Sequence, residues 1–200
     1  MEKSYIVIAM IVSLIMITSV RIIFAYLSKS KYFLVDHAKW VDLHGNILKI
    51  TDELLSIGAL LFSASIIFLL GRVSHGLSLS ISIIIVCLFY CMYCWLGIVL
   101  RLGNMVYPVN QIKILDEKFI DKALLQIYSR LHLADLSLGL LTIFVSNMSD
   151  NVYVQWSGYF VGILQMIFTY YSKIIRHREH IFTTIIWCIW MIIFQWSLIK

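Results

Sequence analysis

The stretch YIVIAMIVSLIMITSVRIIFAYL, residues 5–27, decides the fold of this 200-residue chain. It holds a single charged side chain, Arg21, and is followed directly by the polar run SKSK at residues 28–31. An α-helix rises about 1.5 Å per residue, so this stretch can cross the roughly 30 Å hydrocarbon layer of a bilayer. We interpret it as a retained membrane span, because it is too long for a signal-peptide core and lacks a small-residue cleavage site.

Further apolar stretches follow along the chain, separated by short polar connections. Together with the first, they predict six spans at residues 5–27, 54–70, 77–100, 131–145, 152–171 and 181–199. The composition agrees, because 61% of residues are apolar, only 14% are charged and the mean hydropathy is +0.90. We therefore predict an all-α polytopic bundle of about six transmembrane helices, forming one integral membrane domain over residues 1–200.

The lysines and arginines indicate the orientation of the bundle. The first, third and fifth connections contain Lys29, Lys31, Lys39, Lys49, Arg101, Lys113, Lys118, Lys122, Arg130, Lys173, Arg176 and Arg178. The opposite side receives only Lys3, Arg72 and Lys200. Short basic connections stay in the cytoplasm, so we predict a bacterial inner-membrane protein with both termini outside the cytoplasm. No polar segment is long enough to form a basic surface, and direct nucleic-acid binding is not expected.

The second cytoplasmic connection carries a helical pattern. Leu115, Phe119, Ala123 and Ile127 recur at every fourth residue, with charged residues between them. This spacing predicts a cytoplasmic amphipathic helix from about residue 116 that continues without a break into the fourth span. We predict that its apolar stripe docks a soluble partner or a second copy of the chain. The alternative is that the stripe packs on neighbouring helix ends.

The first cytoplasmic connection has a similar pattern. Trp40, Leu43 and Ile47 recur at helical spacing, which predicts a short amphipathic helix on the membrane surface, interrupted near Gly45. Thr51 is followed by two acidic residues, and this order predicts the N-cap of the second span.

Two charged residues lie within the predicted hydrocarbon depth. Arg21 precedes the cytoplasmic end of the first span by about one and a half turns, and Asp135 lies about one turn into the fourth. Intramembrane charges are costly and usually paired or functional, so we predict an Arg21–Asp135 ion pair. Alternatively, Arg21 reaches the lipid headgroups, or Asp135 pairs with His132 three residues earlier.

Small residues mark a candidate packing site in the fifth span. Gly158 and Gly162 are separated by three residues, the spacing at which helix backbones approach closely in membranes. Such a pattern serves helix packing inside one subunit as readily as between subunits.

Cysteines and histidines favour a redox, haem or metal site only weakly. Cys91 and Cys94 form a CxxC motif with Cys87 on the same helical face, as in quinone-linked disulfide-forming membrane enzymes. That chemistry needs a second cysteine pair in an external connection, and the remaining cysteine, Cys188, lies inside the sixth span. Only one of the six histidines, His132, enters a span, whereas haem bundles place axial histidines on facing spans. We therefore predict no catalytic residue, cofactor or metal.

The sequence thus predicts a non-enzymatic membrane sensor, anchor or accessory subunit. It would self-associate as a homo-oligomer in the lipid bilayer and dock a soluble cytoplasmic protein. Small subunits of this kind occur in bacterial multi-gene systems, including antiviral (phage) defence, and the isoleucine-rich composition is compatible with that setting. Two alternatives remain, a small oligomeric channel or carrier and a membrane redox or haem protein.

Overall fold

The computed structural model describes residues 2–33, 35–73, 78–107, 117–171 and 177–199. Within these ranges the chain forms helices and connecting turns, with no β-strand. The elements are α1 (Glu2–Leu27), a 3₁₀ turn (Lys31–Phe33), α2 (His37–Val73), α3 (Leu79–Val106), α4 (Glu117–Ser146), α5 (Val152–Tyr171) and α6 (His177–Ile199). The prediction of an all-α chain is confirmed.

Four helices are long and apolar enough to cross a membrane. The qualifying segments are Tyr5–Leu27 of α1, His37–Gly71 of α2, Leu79–Val106 of α3 and Arg178–Leu198 of α6. Their outward faces carry large apolar side chains, and more than half of the surface of Leu60, Phe89 and Ile189 is exposed. The exposed face of a helix in a soluble protein is mostly polar, so these surfaces suggest a membrane protein.

The six helices form a closed ring in chain order. Each helix packs against the next one, and α6 packs back against α1. Neighbours run antiparallel, since Trp40 near the start of α2 donates from Nε1 to the carbonyl of Leu27 at the end of α1 (3.0 Å). Ser137 of α4 donates in the same way to the carbonyl of Cys87 in α3 (2.6 Å).

Aromatic side chains fill the interior of this ring. The ring centroid of Phe62 lies 5.8 Å from that of Trp95 and 6.0 Å from that of Trp187, and all three side chains are buried. These residues come from α2, α3 and α6, so the middle of the bundle is a packed core. Aromatic pairs at such distances add to the stabilisation that apolar burial already provides.

Residues 134–146 of α4 are enclosed by the other helices. No residue between Ala134 and Ser146 is exposed, because α3 and α5 cover it on either side and the ring interior covers the rest. A helix that does not face lipid can carry polar side chains, and this explains how α4 accommodates Asp135, Ser137 and Thr142. Thr142 also accepts a hydrogen bond from Nε1 of Trp187 across the ring (3.0 Å).

Helix α2 is longer than the sequence predicts. It runs without interruption for 37 residues, about 55 Å, and passes through Gly45. Thr51 lies inside it and donates from Oγ1 to the carbonyl of Ile47 (2.7 Å), so the predicted break and N-cap are both wrong. A glycine inside a helix costs about 1 kcal/mol, and the burial of Trp40 and Leu48 on either side of Gly45 offsets that cost.

Residues 37–53 of α2 and 117–130 of α4 form what we call the extension, because they lie before the predicted spans. His37 and Asp121 join its two helices, with Nδ1 2.5 Å from Oδ1. The hydroxyl of Tyr107 donates to Oε1 of Glu53 (3.0 Å), and this bond raises the pKa of the Tyr107 phenol. The hydroxyl of Tyr128 lies 3.4 Å from the carbonyl of Phe24, so the extension is attached to α1 and to the end of α3.

Candidate functional site

A buried ion pair joins α1 to α4. Nη2 of Arg21 lies 2.9 Å from Oδ1 of Asp135, and only 2% and 6% of the two side chains is exposed. Asp135 lies on α4, and the Arg21 side chain reaches it from α1, on the opposite side of the ring. The structure thus brings together the two charged residues that the sequence singles out within the predicted spans.

Two further helices contribute to the surroundings of the pair. Nδ1 of His180 in α6 lies 3.4 Å from Oδ2 of Asp135, so both carboxylate oxygens have a nitrogen nearby. Gln165 of α5 donates from Nε2 to the backbone carbonyl of Asp135 (3.2 Å). Sequence reasoning missed His180, and the histidine that it named as an alternative partner of Asp135 was His132. Among the described residues, His180 is the histidine whose ring nitrogen lies within 4 Å of this carboxylate.

The buried guanidinium of Arg21 has few partners that stabilise its charge. Nε and Nη1 of Arg21 have no hydrogen-bond partner among the described residues. The charge of the guanidinium is therefore stabilised by the Asp135 carboxylate and by the face of the Trp187 ring. The central carbon of the guanidinium lies 5.5 Å from the centroid of that ring. Breaking a buried pair by removing one partner is strongly destabilising, because the other charge then stays buried without compensation. The pair is therefore a point at which a small chemical change has a large structural effect.

A small cavity lies beside the pair. It has a volume of about 10 Å³, room for a single water molecule, and is lined by Arg21, His132, Asp135, Phe168, Thr169, Glu179, His180 and Thr183. The lining side chains come from α1, α4, α5 and α6. No group of three or more histidines, cysteines and acids within the described residues could hold a metal ion.

The cysteines of the CxxC motif lie inside the helix packing. Cys91 and Cys94 are fully buried, and Sγ of Cys91 lies 4.0 Å from the carbonyl of Ala134. Cys87 is also buried, and all four cysteines are free thiols. At these positions the side chains fill the contact between α3 and α4.

The glycines of α5 form close contacts within the chain. A Cβ atom on Gly162 would lie 2.6 Å from the carbonyl oxygen of Gly139 in α4, nearer than such atoms approach. A Cβ atom on Gly158 would lie 2.5 Å from Cβ of Ser146 and would also meet the ring of Trp190. The small-residue pattern therefore packs α5 against α4 and α6 of the same chain.

The predicted docking stripe of α4 does not form an outward surface. Ala123 and Ile127 are buried in the core of the chain, and Phe119 is partly exposed. Leu115 lies outside the described residues. The reason is geometric, because the stripe continues along one helix face into Leu131, which the other helices cover. The alternative interpretation, packing on neighbouring helices, describes Ala123 and Ile127.

Another apolar stripe is exposed on the extension. Leu43, Ile47 and Ile50 of α2 are 57%, 40% and 54% exposed, and their spacing places them on one helix face. The sequence pattern contained Leu43 and Ile47, but periodicity alone could not tell whether other parts of the chain cover them. We call these three residues the α2 stripe.

Protein-family models, curated proteins and solved structures were compared with the chain, and none of them matches it. The fold and the site suggest a helical membrane protein, because the described residues form four apolar helices of membrane-spanning length and a buried ion pair.

Proposed function

We propose that this protein is a non-enzymatic membrane sensor or anchor subunit. It spans a bacterial inner membrane six times and holds a soluble protein on the cytoplasmic side. The observation that carries the proposal is the α2 stripe, a set of three exposed apolar residues on a helix segment next to the predicted spans.

Exposed apolar residues on α5 support six spans rather than four. Trp156, Phe160, Ile163 and Ile167 recur at spacings of three and four residues, and each has about half or more of its surface exposed. This stripe is what a helix facing lipid requires. Helix α4 packs between α3 and α5 and faces the ring interior, so it need not be as apolar as its neighbours.

The charges support the orientation. Twelve lysines and arginines lie in the three connections that we assign to the cytoplasm, and three lie on the other side. On this assignment the extension belongs to the basic side, and we expect the α2 stripe to lie in the cytoplasm.

The surroundings of the α2 stripe favour a protein partner. Asp42 and Lys49 lie within one turn of its members, so the surface is apolar with mixed charge at its edges. A helix that presents residues i, i+4 and i+7 fits the apolar groove of another protein. An anionic lipid surface would instead favour a face rich in lysine and arginine.

The connection between α4 and the extension supports a sensing role. Asp135 of the buried pair and Asp121 of the extension lie on one continuous helix, and Asp121 contacts His37 of α2. A change at the pair can therefore shift α4 as a unit and move the helix that carries the stripe. We also propose that the chain self-associates in the membrane. The mass of the purified complex tests this.

The test compares two variants with matched chemistry. Leu43→Asp with Ile47→Asp puts two negative charges into the α2 stripe, whereas the control Leu125→Asp puts one at an exposed apolar residue on the α4 side of the extension. Proteins that co-purify in fixed stoichiometry with the natural chain should be lost from the first variant and kept by the second. A double variant that inserts normally and retains the same stoichiometric partner would refute the anchor function.

A carrier is the second candidate, and the cavity beside Asp135 favours it. Its lining combines His132, Glu179 and His180 with the buried carboxylate, and such groups can take up and release protons. Proton flux into vesicles that contain the purified protein, abolished by Asp135→Asn, would favour the carrier over the anchor.

A further inference from the structure

Basic side chains gather on the outer surface between the end of α3 and the start of α4. A cavity of about 250 Å³ lies there, lined by Arg101, Asn104, Phe119, Lys122, Ala123 and Gln126. Its described lining includes two cations and no acid. Arg130, two turns further along α4, adds a third cation on the side toward the predicted span.

The two arginines are held in place by their neighbours. Nε of Arg101 donates to Oε1 of Gln126 (2.5 Å), which links α3 to α4 across the cavity. The guanidinium of Arg130 lies over the ring of Tyr93, 5.0 Å from its centroid, and occupies the space that a side chain on Gly97 would fill. An arginine that is already oriented loses less freedom when it binds an anion than a free surface lysine does.

Apolar surface adjoins these cations on the membrane side. Tyr93, Leu96 and Leu100 of α3 are more than half exposed. They precede Arg101 in the chain and lie between it and the middle of the predicted span. The groove thus has a cationic cavity at one end and an apolar surface at the other. A molecule that matches both has an anionic head and a hydrocarbon tail.

We propose that this groove binds an anionic phospholipid of the cytoplasmic leaflet. The phosphate lies between Arg101 and Lys122, and the acyl chain runs along Leu100 and Leu96. Guanidinium groups bind phosphate oxygens in a bidentate manner, and basic pockets between helices on the cytoplasmic side recognise lipid headgroups. The inference rests on the six-span topology of the proposed function, but not on the α2 stripe or its partner.

The test uses purified protein in a neutral detergent, with phosphatidylglycerol as the probe and phosphatidylcholine of the same acyl chains as the reference. Retention of each lipid is measured by native mass spectrometry. We expect the natural protein to prefer phosphatidylglycerol, and Arg101→Gln with Lys122→Gln to weaken its binding by roughly 30-fold. Lys39→Gln with Lys49→Gln removes the same charge from α2 and should leave the preference unchanged.

Three outcomes would overturn the proposal. Phosphatidylglycerol could bind equally well to the Arg101/Lys122 variant, or the Lys39/Lys49 variant could lose the preference to the same extent. Millimolar inorganic phosphate could also displace the lipid completely, which would identify a soluble anion as the ligand. Unchanged melting temperatures show that each variant is folded. Partner capture through the α2 stripe is measured separately, so failure here leaves the anchor function standing.

Discussion

Arg21 and Asp135 contact each other inside the bundle, with Nη2 of the arginine 2.9 Å from Oδ1 of the aspartate. One residue comes from the first helix and the other from the enclosed fourth helix. The pair ties together two helices that are three positions apart in the ring. Its loss should therefore be measurable in the stability of the whole bundle.

Asp135→Asn is expected to lower the free energy of unfolding by about 3–5 kcal/mol, because it leaves the Arg21 charge buried without a counter-charge. Denaturant unfolding of the purified protein in detergent measures the change. The variant Arg21→Met with Asp135→Leu should recover most of this loss, since apolar residues of similar volume often replace a buried pair without cost. The double variant is compared with Arg21→Met and Asp135→Leu alone. If its loss of stability equals the sum of the two single losses, the two residues do not interact.

Gly162→Ala is expected to lower stability by about 1–3 kcal/mol, because the new methyl group meets the backbone of Gly139, which cannot move aside as a flexible side chain can. Gly45→Ala is the matched control. No atom lies within 4 Å of a Cβ at that residue, so alanine should stabilise the helix by up to about 1 kcal/mol. Melting temperatures of the two variants should move in opposite directions, and a rise for Gly162→Ala would contradict the close packing of α4 and α5.

Trp187→Phe should lower the free energy of unfolding by about 1–2 kcal/mol, because it removes the buried hydrogen bond to Thr142. It also replaces the indole ring beneath Arg21 with a smaller one. Trp196→Phe changes an exposed tryptophan on the same helix and should have little effect on unfolding. Equal effects of the two substitutions would show that the interior contact contributes nothing specific.

Topology reporters test the six-span arrangement. A reporter after Lys200, or in the α4–α5 connection at residues 147–151, should be active outside the cytoplasm. A reporter inserted at residues 110–116 should be active in the cytoplasm, because that connection is rich in lysine and arginine. A reporter at residues 147–151 that is active inside would remove α4 and α5 from the set of spans.

Part of the buried site could be predicted from the sequence. The number of residues between a charged side chain and the end of its apolar stretch gives the depth of that side chain in the predicted span. Arg21 and Asp135 occupy similar depths in two predicted spans, and this was enough to propose their contact. His180 could not be identified in the same way. Its place beside Asp135 depends on α6 returning to α1, and nothing in the apolar pattern of either helix specifies which helices become neighbours.

Helical periodicity shows that an apolar face exists but not what covers it. The stripes of α4 and of the α2 extension are alike in the sequence, yet the chain buries Ile127 and leaves Ile47 exposed. The continuous α2 helix was missed for a related reason. Gly45 and Thr51 are local signals of a break, and the tertiary packing of Trp40 and Leu48 outweighs them.

Photo-crosslinking in living cells tests the anchor function most directly. A photoreactive residue at Ile47 samples whatever contacts the α2 stripe, and one at Leu60 samples the exposed apolar surface within the predicted span of the same helix. We predict that Ile47 forms an adduct with one soluble protein and that Leu43→Asp abolishes it, whereas Leu60 forms adducts with lipid alone. If Ile47 also forms adducts with lipid alone, the stripe lies in the membrane and the protein does not anchor a partner there.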